Sequence, residues 1–293
     1  MHRRHLLTAL ASTALAAAQT PGSSRLPRKG RIKQSCFTRS LTSVPEDPKM
    51  SLDRMFQIGA HLGAAGFDLL APAQWPLLKP YGLIPTMATG GGVSIENGII
   101  HKEMQQDQVA SLEPFIDACA ADGCPNILIP GGQRKGLSYT EGAANAVEFL
   151  NRVKGRAEEK GVTLCLEVMN DKYRNPAIGR IDQVGNHLSW VAGVVERVNS
   201  PRVKILFDIY HVQIMDGNVV ENIKAVFPLI GHFHTAGVPG RHELDETQEL
   251  NYGFIFRAIA DLGYTGYVAH EYDPTPGRDP VQMLEKVFAI ADV

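Results

Sequence analysis

Short, continuously apolar segments alternate with longer amphipathic segments along most of this chain, and this alternation constrains the fold most strongly. Segments such as NILIP, VTLCLEV and VKILF have the apolar, β-branched composition of strands that are buried on both faces. Strands of this kind occur in parallel sheets, where helices cover both faces of the sheet. The alternation therefore predicts an α/β protein that is built from repeated strand–helix units.

Eight such strand segments follow one another after residue 30. They are Arg31–Phe37, Phe67–Ala71, Leu83–Ala88, Asn126–Pro130, Val162–Val168, Val203–Ile209, Gly231–Ala236 and Gly266–Glu271. The clearest helical patterns are Lys102–Ala121, Thr140–Lys160, Ile181–Val198, Tyr252–Leu262 and Pro280–Ala291. Gly123, Gly161 and Gly263 each follow a helical segment and precede a strand, as helix-ending glycines do. Eight units in about 250 residues predict a (β/α)₈ TIM barrel.

A doubly wound parallel sheet is the alternative fold for this pattern. Such a sheet normally carries a glycine-rich phosphate-binding loop after its first strand. No GxGxxG follows Phe37, and GxxxxGK[ST] occurs nowhere in the sequence. The barrel is therefore the favoured prediction.

The first 30 residues have the pattern of a processing signal instead of a folded element. Arg3 and Arg4 precede an apolar stretch from Leu6 to Ala18 that is too short to span a bilayer, and residues 16–18 offer an A-x-A cleavage site. We expect a signal peptide over residues 1–18, of the twin-arginine type, a linker over residues 19–30, and one catalytic barrel domain over residues 31–293. The expected location is the periplasm, or the cytoplasm if the signal does not function.

Charge and cysteine content exclude several other classes of protein. The 29 basic and 31 acidic side chains give a net charge of −2, which argues against a nucleic-acid-binding protein. No apolar run reaches the roughly 18 residues of a membrane-spanning helix, so we expect no stable membrane insertion after signal cleavage. The four cysteines lack the paired CxxC spacing of a structural zinc site. A small molecule is the expected partner, and assembly into homo-oligomers is compatible with this composition.

Polar side chains at the carboxyl ends of the last four strands are the candidate functional residues, because TIM barrels build their sites there. They are Glu167, Asn170, Asp208, His211, His232, His234, His270 and Glu271. Residues two apart on a strand share a face, so His232 and His234 point the same way, whereas His270 and Glu271 point in opposite directions. We expect Glu271 to face the site and His232 to line the barrel. The first four strands supply almost no ligand-type residues at their ends.

Glu167, Asp208 and Glu271 would repel one another if they converged near the single imidazole of His234. A divalent cation removes this conflict, because it compensates buried carboxylates that are otherwise costly. Oxygen-rich ligation with one nitrogen suits Mg²⁺ or Mn²⁺, and Co²⁺ or Zn²⁺ are also compatible. These residue types on four consecutive strands therefore predict a metal site.

At these residues the sequence resembles the hydroxypyruvate isomerase family within the xylose isomerase-like TIM barrels, a superfamily of sugar isomerases and epimerases. The matching segments are LEVMN, FDIYHVQIMDGNV, GHFHTAGVPGRHELD with ELNYGFIF, and GYTGYVAHEYDP. The segment GVPGRHELD with the following ELNY is the most specific of them. The resemblance is strong over residues 161–274 and weaker before them.

The resemblance implies roles for particular residues. Glu167, Asp208, His234 and Glu271 match its metal ligands, and Glu167 and Glu271 match its paired acid–base carboxylates. His211 and Arg241 match residues that contact the substrate. The implied reaction interconverts hydroxypyruvate and 2-hydroxy-3-oxopropanoate by proton transfer through an enediolate.

Two departures from the family pattern leave other substrates open. His234 stands where some hydroxypyruvate isomerases have Gln, and Asp273 stands where isomerases of this family have Lys. A keto-sugar 3-epimerase or an inosose dehydratase of the same superfamily is therefore an alternative. An apurinic endonuclease on this barrel would need more histidines on more strands, and a non-catalytic, exported sugar-binding barrel would not need all four ligands.

Overall fold

The eight predicted strands close into one parallel barrel in a computed structural model of the chain, which describes residues 25–42, 50–172, 174–175, 179–180 and 182–293. The barrel strands are β1 (Lys33–Cys36), β2 (Gly66–Asp68), β3 (Ile84–Thr89), β4 (Asn126–Ile129), β5 (Thr163–Glu167), β8 (Val203–Asp208), β9 (Ile230–Thr235) and β10 (Tyr267–His270). Two-residue strands β6 (Arg174–Asn175) and β7 (Gly179–Arg180) pair as a separate antiparallel hairpin. The predicted TIM barrel is confirmed.

Helices cover the outside of the barrel. They are α1 (Leu52–Leu62), α2 (Lys102–Asp122), α3 (Tyr139–Lys160), α4 (Leu188–Val198), α5 (Ile209–Met215), α6 (Val219–Val226), α7 (Tyr252–Asp261) and α8 (Pro280–Ile290). The connection after β2 is a 3₁₀ helix, Pro72–Tyr81, because the prolines within it cannot donate α-helical hydrogen bonds. Gly123 and Gly161 cap α2 and α3 with φ values of 75° and 71°, as their positions in the sequence predict.

The predicted helical segment Ile181–Val198 was wrong at its amino end. The helix α4 begins at Leu188, and the described residues before it run as a loop that is tied to another part of the chain. Asp182 forms an ion pair with Arg134 at 2.7 Å, and Gln183 forms an isolated β-bridge with Gln133. These tertiary contacts hold the segment outside the helix, and they outweigh its weak helical pattern.

An apolar layer inside the barrel lies directly beneath the carboxyl ends of the strands. It consists of Met87, Leu128, Cys165 and Leu206, all of them buried. Two residues further along their strands, Cys165 is followed by Glu167 and Leu206 by Asp208. Because residues two apart share a face, the strands that bury this layer also direct both carboxylates into the mouth of the barrel.

The amino-terminal predictions fall largely outside the described residues. The predicted signal over residues 1–18 and the first part of the linker belong to the segment that the structure does not describe. The rest of the linker is coil and lies against the barrel, where Arg25 and Arg28 donate to the carbonyl oxygens of Gly63 and Leu62 at 2.9 Å each. Within the described part of the chain, no helix combines the length and the hydropathy that crossing a bilayer requires.

Replacing Ser138 by Ala should lower the free energy of unfolding by about 1 kcal/mol. The Ser138 hydroxyl accepts from the Glu141 backbone N–H at 3.2 Å, and the Glu141 carboxylate accepts from the Ser138 N–H at 3.0 Å. This capping box satisfies two donors at the start of α3. Urea unfolding should measure the loss, and Ser138→Thr should retain most of the stability. Equal stability of the Ala and Thr variants would contradict the capping role.

Candidate metal centre and active site

Four predicted ligands converge at the mouth of the barrel. Glu167 ends β5, Asp208 ends β8, His234 lies near the end of β9 and Glu271 directly follows β10. All four side chains are buried, and each offers one ligand atom within 4.8 Å of the ligand atoms of the others. The side chains that the sequence analysis grouped are therefore neighbours in space.

The end of strand β8 fixes the orientation of Asp208. One carboxylate oxygen of Asp208 accepts from the backbone N–H groups of Tyr210 at 2.9 Å and His211 at 3.4 Å, and so caps helix α5. The second oxygen faces the cluster, 3.4 Å from Nε2 of His211 and 3.9 Å from Nη2 of Arg241. The helix cap therefore leaves one oxygen of Asp208 available for a ligand.

Glu271 lies between two cationic side chains. Its Oε1 atom is 2.9 Å from Nη2 of Arg241, and its Oε2 atom is 2.8 Å from Nδ1 of His234. The second pair of atoms is not aligned as a hydrogen bond, and neither atom has another hydrogen-bond partner among the described residues. The same Nδ1 atom of His234 lies 3.8 Å from Oε1 of Glu167.

The loop after β9 directs Arg241 into the site. Arg241 adopts φ 61°, a backbone conformation that is uncommon for residues other than glycine. Its backbone N–H donates to the carbonyl of Gly237 at 2.9 Å, and its carbonyl accepts from the N–H of Asp273 at 2.8 Å. Its guanidinium carbon lies 5.4 Å from the ring centroid of Tyr210. These contacts hold the guanidinium over the cluster, with 24% of the side chain exposed.

His211 and Asn170 form a pair beside the cluster. The Asn170 side-chain amide lies 2.6 Å from Nδ1 of His211 and donates to it when that nitrogen is unprotonated. Burial lowers the pKa of His211 to about 4, even though Asp208 favours its charged form. A neutral His211 then carries its ring hydrogen on Nε2, which has no hydrogen-bond partner among the described residues. That atom is therefore able to donate to a substrate oxygen.

The charges of the cluster perturb one another strongly. Burial raises the pKa of Glu167 to about 8, and the negative charge of Glu271 contributes to this rise. Burial also opposes ionisation of Glu271, but the charges of Arg241 and His234 outweigh it and hold the pKa of Glu271 well below its usual range. Burial would lower the pKa of His234, yet Glu271 and Asp68 raise it to about 10. Without a bound ion, protons on Glu167 and His234 therefore offset the negative charge of the cluster.

These residues fit a divalent cation. Three carboxylates and one imidazole are buried together, and the facing atoms of His234 and Glu271 lack aligned hydrogen bonds. A cation would bond to atoms that protein donors leave unsatisfied, and it would reduce the repulsion between Glu167 and Glu271. The donor set, with three oxygens and one nitrogen, suits the metals that the sequence analysis named.

Two further charged residues near the site were missed from the sequence. Asp68 in β2 is fully buried, and its Oδ2 atom lies 2.7 Å from Nε2 of His232 and 3.1 Å from Nε2 of His234. The expectation that the first four strands supply almost no ligand-type residues was therefore wrong for β2. Arg39, after β1, lies 3.7 Å from Oε1 of Glu271. The sequence did carry a signal for each. Asp68 is an acidic residue within the apolar segment FDLLA, and Arg39 is a basic residue just beyond the end of a strand.

Other predicted orientations agree with the structure. His232 lines the barrel and hydrogen-bonds Asp68, while His270 points away from the site. One ring nitrogen of His270 lies 3.0 Å from the side-chain oxygen of Gln34, and the other lies 2.9 Å from the hydroxyl of Thr235. The alternation of His270 and Glu271 across the two faces of the barrel is confirmed.

Comparison with known proteins identifies related sequences and folds. The chain is 48% identical over 157 residues to a Xenopus laevis protein named "Putative hydroxypyruvate isomerase", a match that covers 52% of this chain and 55% of that protein. It is 27% identical over 234 residues to 2-oxo-tetronate isomerase of Pectobacterium atrosepticum, over 76% of this chain and 86% of that one. A solved structure titled AP endonuclease, family 2, from Brucella melitensis shares the fold with a TM-score of 0.71 and 24% identity, covering 86% of this chain and 97% of that one.

The matches to the proteins with the hydroxypyruvate isomerase name are partial. For the zebrafish (Danio rerio) and Xenopus laevis proteins, the chain spans 51% and 55% of their length, about half. The family model described as xylose isomerase-like TIM barrel, in contrast, matches residues 75–287, well over half of this chain. This region includes all four converging side chains. The closed barrel and this match together show that the chain belongs to the xylose isomerase-like TIM barrel family.

Proposed function

We propose that this protein is a metal-dependent isomerase that interconverts hydroxypyruvate and 2-hydroxy-3-oxopropanoate. The observation that carries the proposal is the convergence of Glu167, Asp208, His234 and Glu271 on one buried point at the mouth of the barrel, with Arg241 beside it. Relatives named for isomerisation of small hydroxy-carbonyl acids support the reaction class.

The four converging side chains would hold one divalent cation, Mg²⁺ or Mn²⁺, with Co²⁺ or Zn²⁺ as alternatives. When bound, such an ion polarises a substrate carbonyl as a Lewis acid. Asp208 is held rigidly by its helix cap, and His234 is fully buried. Both are therefore suited to ligation without taking part in proton transfer.

Glu167 and Glu271 are the proposed acid–base pair. They approach from strands β5 and β10, and both lie within the same buried cluster. One carboxylate removes a proton from the hydroxyl-bearing carbon of the substrate, which gives an enediolate. The other donates a proton to the adjacent carbon, while the proton of the original hydroxyl passes to the oxygen of the former carbonyl, and these two transfers complete the isomerisation. Positioned groups of this kind contribute about 10²–10⁴-fold to the rate.

Arg241 and His211 are the proposed substrate-binding residues. The guanidinium of Arg241 presents several donors in one plane, which matches the geometry of a carboxylate such as that of hydroxypyruvate. The ring of His211 lies beside Asp208 and would donate from Nε2 to a hydroxyl or carbonyl oxygen. Arg241 and His211 both lie near Asp208, and this combination of a cation and a neutral donor favours a 2-oxo acid over an uncharged sugar.

A longer 2-oxo acid is the second candidate substrate. The match to 2-oxo-tetronate isomerase covers 86% of that protein, a larger share than the match to the Xenopus laevis protein. The same proton transfer between adjacent carbons would serve either acid. The length of the substrate beyond the reacting carbons is what would differ.

We also propose that the protein is exported, with residues 1–18 as the signal, residues 19–30 as the linker and residues 31–293 as the catalytic domain. The paired arginines and the short apolar stretch of the signal support this proposal. The substrate is then a small molecule of the periplasm. The proposal includes no nucleic-acid partner, and self-association stays compatible with it.

Proton exchange provides the test of this function. In deuterated water with Mn²⁺ or Mg²⁺, the protein should incorporate deuterium into hydroxypyruvate and form 2-hydroxy-3-oxopropanoate, as NMR of the substrate would report. Chelation of the metal should abolish both changes, and metal without protein is the control. Exchange into 2-oxo-tetronate alone would favour the second candidate. Exchange into ketoses but into neither acid would contradict the proposal and favour an epimerase.

A further inference from the structure

A second polar cluster lies inside the barrel beneath the candidate metal centre. Asp68 is buried and has four polar side chains within hydrogen-bond distance of its carboxylate. Its Oδ1 atom lies beside the hydroxyls of Ser35 and Thr86, and its Oδ2 atom faces Nε2 of His232 at 2.7 Å and Nε2 of His234 at 3.1 Å. His234 is thus the residue that joins this cluster to the metal centre.

We propose that Asp68 is a positioning residue that fixes the ring of His234 so that Nδ1 faces the metal centre. Asp68 touches none of the other three proposed ligands in any described contact, so it would act through His234. This inference rests on the proposed metal site and goes beyond it, because it assigns a function to a carboxylate that the proposed mechanism does not use.

The contact with Asp68 favours a hydrogen on Nε2 of the His234 ring. A carboxylate oxygen 3.1 Å from Nε2 requires a hydrogen on that atom, because two facing lone pairs would repel. As long as Asp68 keeps the hydrogen on Nε2, Nδ1 is the nitrogen that would lose its hydrogen and bind a cation. Nδ1 is the nitrogen that lies 2.8 Å from Glu271 and 3.8 Å from Glu167.

Neighbouring rings restrict rotation of His234. The ring of Phe37 meets it edge-on with centroids 5.1 Å apart, and the ring of His232 meets it at 5.2 Å. His232 donates to the same carboxylate oxygen, so Asp68 holds two rings of strand β9 at once. A carboxylate behind a metal-binding histidine typically changes metal affinity about 10–100-fold when it is removed.

The same cluster could instead bind an ion of its own, because Asp68, His232 and His234 form a group of three metal-compatible side chains. Against this reading, Ser35 and Thr86 already occupy the other oxygen of Asp68, and the two imidazole contacts have hydrogen-bond lengths. The two readings differ in stoichiometry: positioning predicts one ion per chain, and ligation by Asp68 predicts two.

The test is Mn²⁺ affinity, measured by calorimetric titration of the chelator-treated full chain. We expect Asp68→Ala to weaken Mn²⁺ binding about 10–100-fold. We expect Asp68→Asn to weaken it by a smaller factor, because an amide oxygen still accepts from the rings but lacks the charge that strengthens such bonds. The matched control is Ser35→Ala, which removes a hydroxyl from beside the other oxygen of the same carboxylate. It should leave Mn²⁺ affinity within about threefold, since Thr86 still contacts Asp68.

Several outcomes would overturn this role of Asp68. The first is a folded Asp68→Ala protein that binds Mn²⁺ as tightly as the wild type. The second is a wild-type chain that binds two Mn²⁺ ions, of which the Asp68→Ala variant loses one. If Asp68→Ala does not fold, the positioning role is overturned by an Asp68→Asn protein that binds Mn²⁺ as tightly as the Ser35→Ala protein does. Absence of Mn²⁺ binding by the wild type would overturn the proposed metal site as well, whereas wild-type binding with an unaffected Asp68→Ala variant would overturn only the positioning role.

Discussion

Replacing Glu271 by Gln should lower kcat/KM on the active substrate by about 10²–10⁴-fold while the barrel stays folded. The amide has nearly the same shape as the carboxylate, but it neither accepts a proton as a base nor carries a negative charge. It would therefore remove one half of the acid–base pair and weaken the contacts to Arg241 and His234. Steady-state kinetics with saturating metal, together with circular dichroism of the variant, would measure both parts of this expectation.

Glu243 offers a matched control for this experiment. It is another buried glutamate in a neighbouring loop, but its carboxylate accepts from the backbone N–H of Thr275 at 2.8 Å and from the Thr275 hydroxyl at 2.5 Å. Glu243→Gln keeps an acceptor oxygen and should change kcat/KM by less than about threefold. A Glu271→Gln protein that retains a tenth or more of wild-type activity would refute the catalytic role of Glu271.

Replacing Asp208 by Asn should abolish metal retention during purification, with a fall in affinity of at least about 100-fold. Asparagine still offers one oxygen to the backbone N–H groups of Tyr210 and His211, so it preserves the cap of helix α5. Its amide group then faces the cluster, where it provides no negative charge. Elemental analysis of the purified proteins would measure the bound metal.

A second aspartate has the same capping geometry but is not one of the four converging side chains. Asp279 caps helix α8 and accepts from the N–H groups of Val281 at 2.8 Å and Gln282 at 3.3 Å. Asp279→Asn should therefore retain the full metal content. Any fall in its free energy of unfolding measures the effect of replacing a capping aspartate by asparagine. Equal metal content in the Asp208→Asn and wild-type proteins would show that the metal centre is elsewhere.

Much of the barrel could be predicted because its strands carry their own signal. A strand that is buried on both faces is mostly apolar, and glycine commonly ends a helix, so VTLCLEV and Gly161 are informative without any partner. The amino end of helix α4 could not be located in this way. Its preceding residues are held by Arg134 and Gln133, which lie on the other side of helix α3 in the sequence.

The candidate site was predictable to the extent that position on a strand determines direction. Glu167 and Asp208 follow inward-facing residues by two positions, so their direction follows from the strand period. Asp68 follows the same rule, but its importance depends on His232 and His234, which are 164 and 166 residues away. Arg241 lies in a loop, where no period applies, and its direction follows from contacts to Gly237 and Asp273.

The sequence by itself determined the order of strands and helices, the closed barrel that they favour and the set of side chains that point toward its axis. Local hydrophobic periodicity encodes all of these, because each segment must bury its own apolar face. Only the tertiary structure decided which atoms meet: that Asp208 pairs in register with His234, that Asp68 contacts the far side of the His234 ring, and that Arg241 reaches Glu271. These contacts depend on the hydrogen-bond register between strands that are distant in the chain, and that register is fixed when the barrel closes.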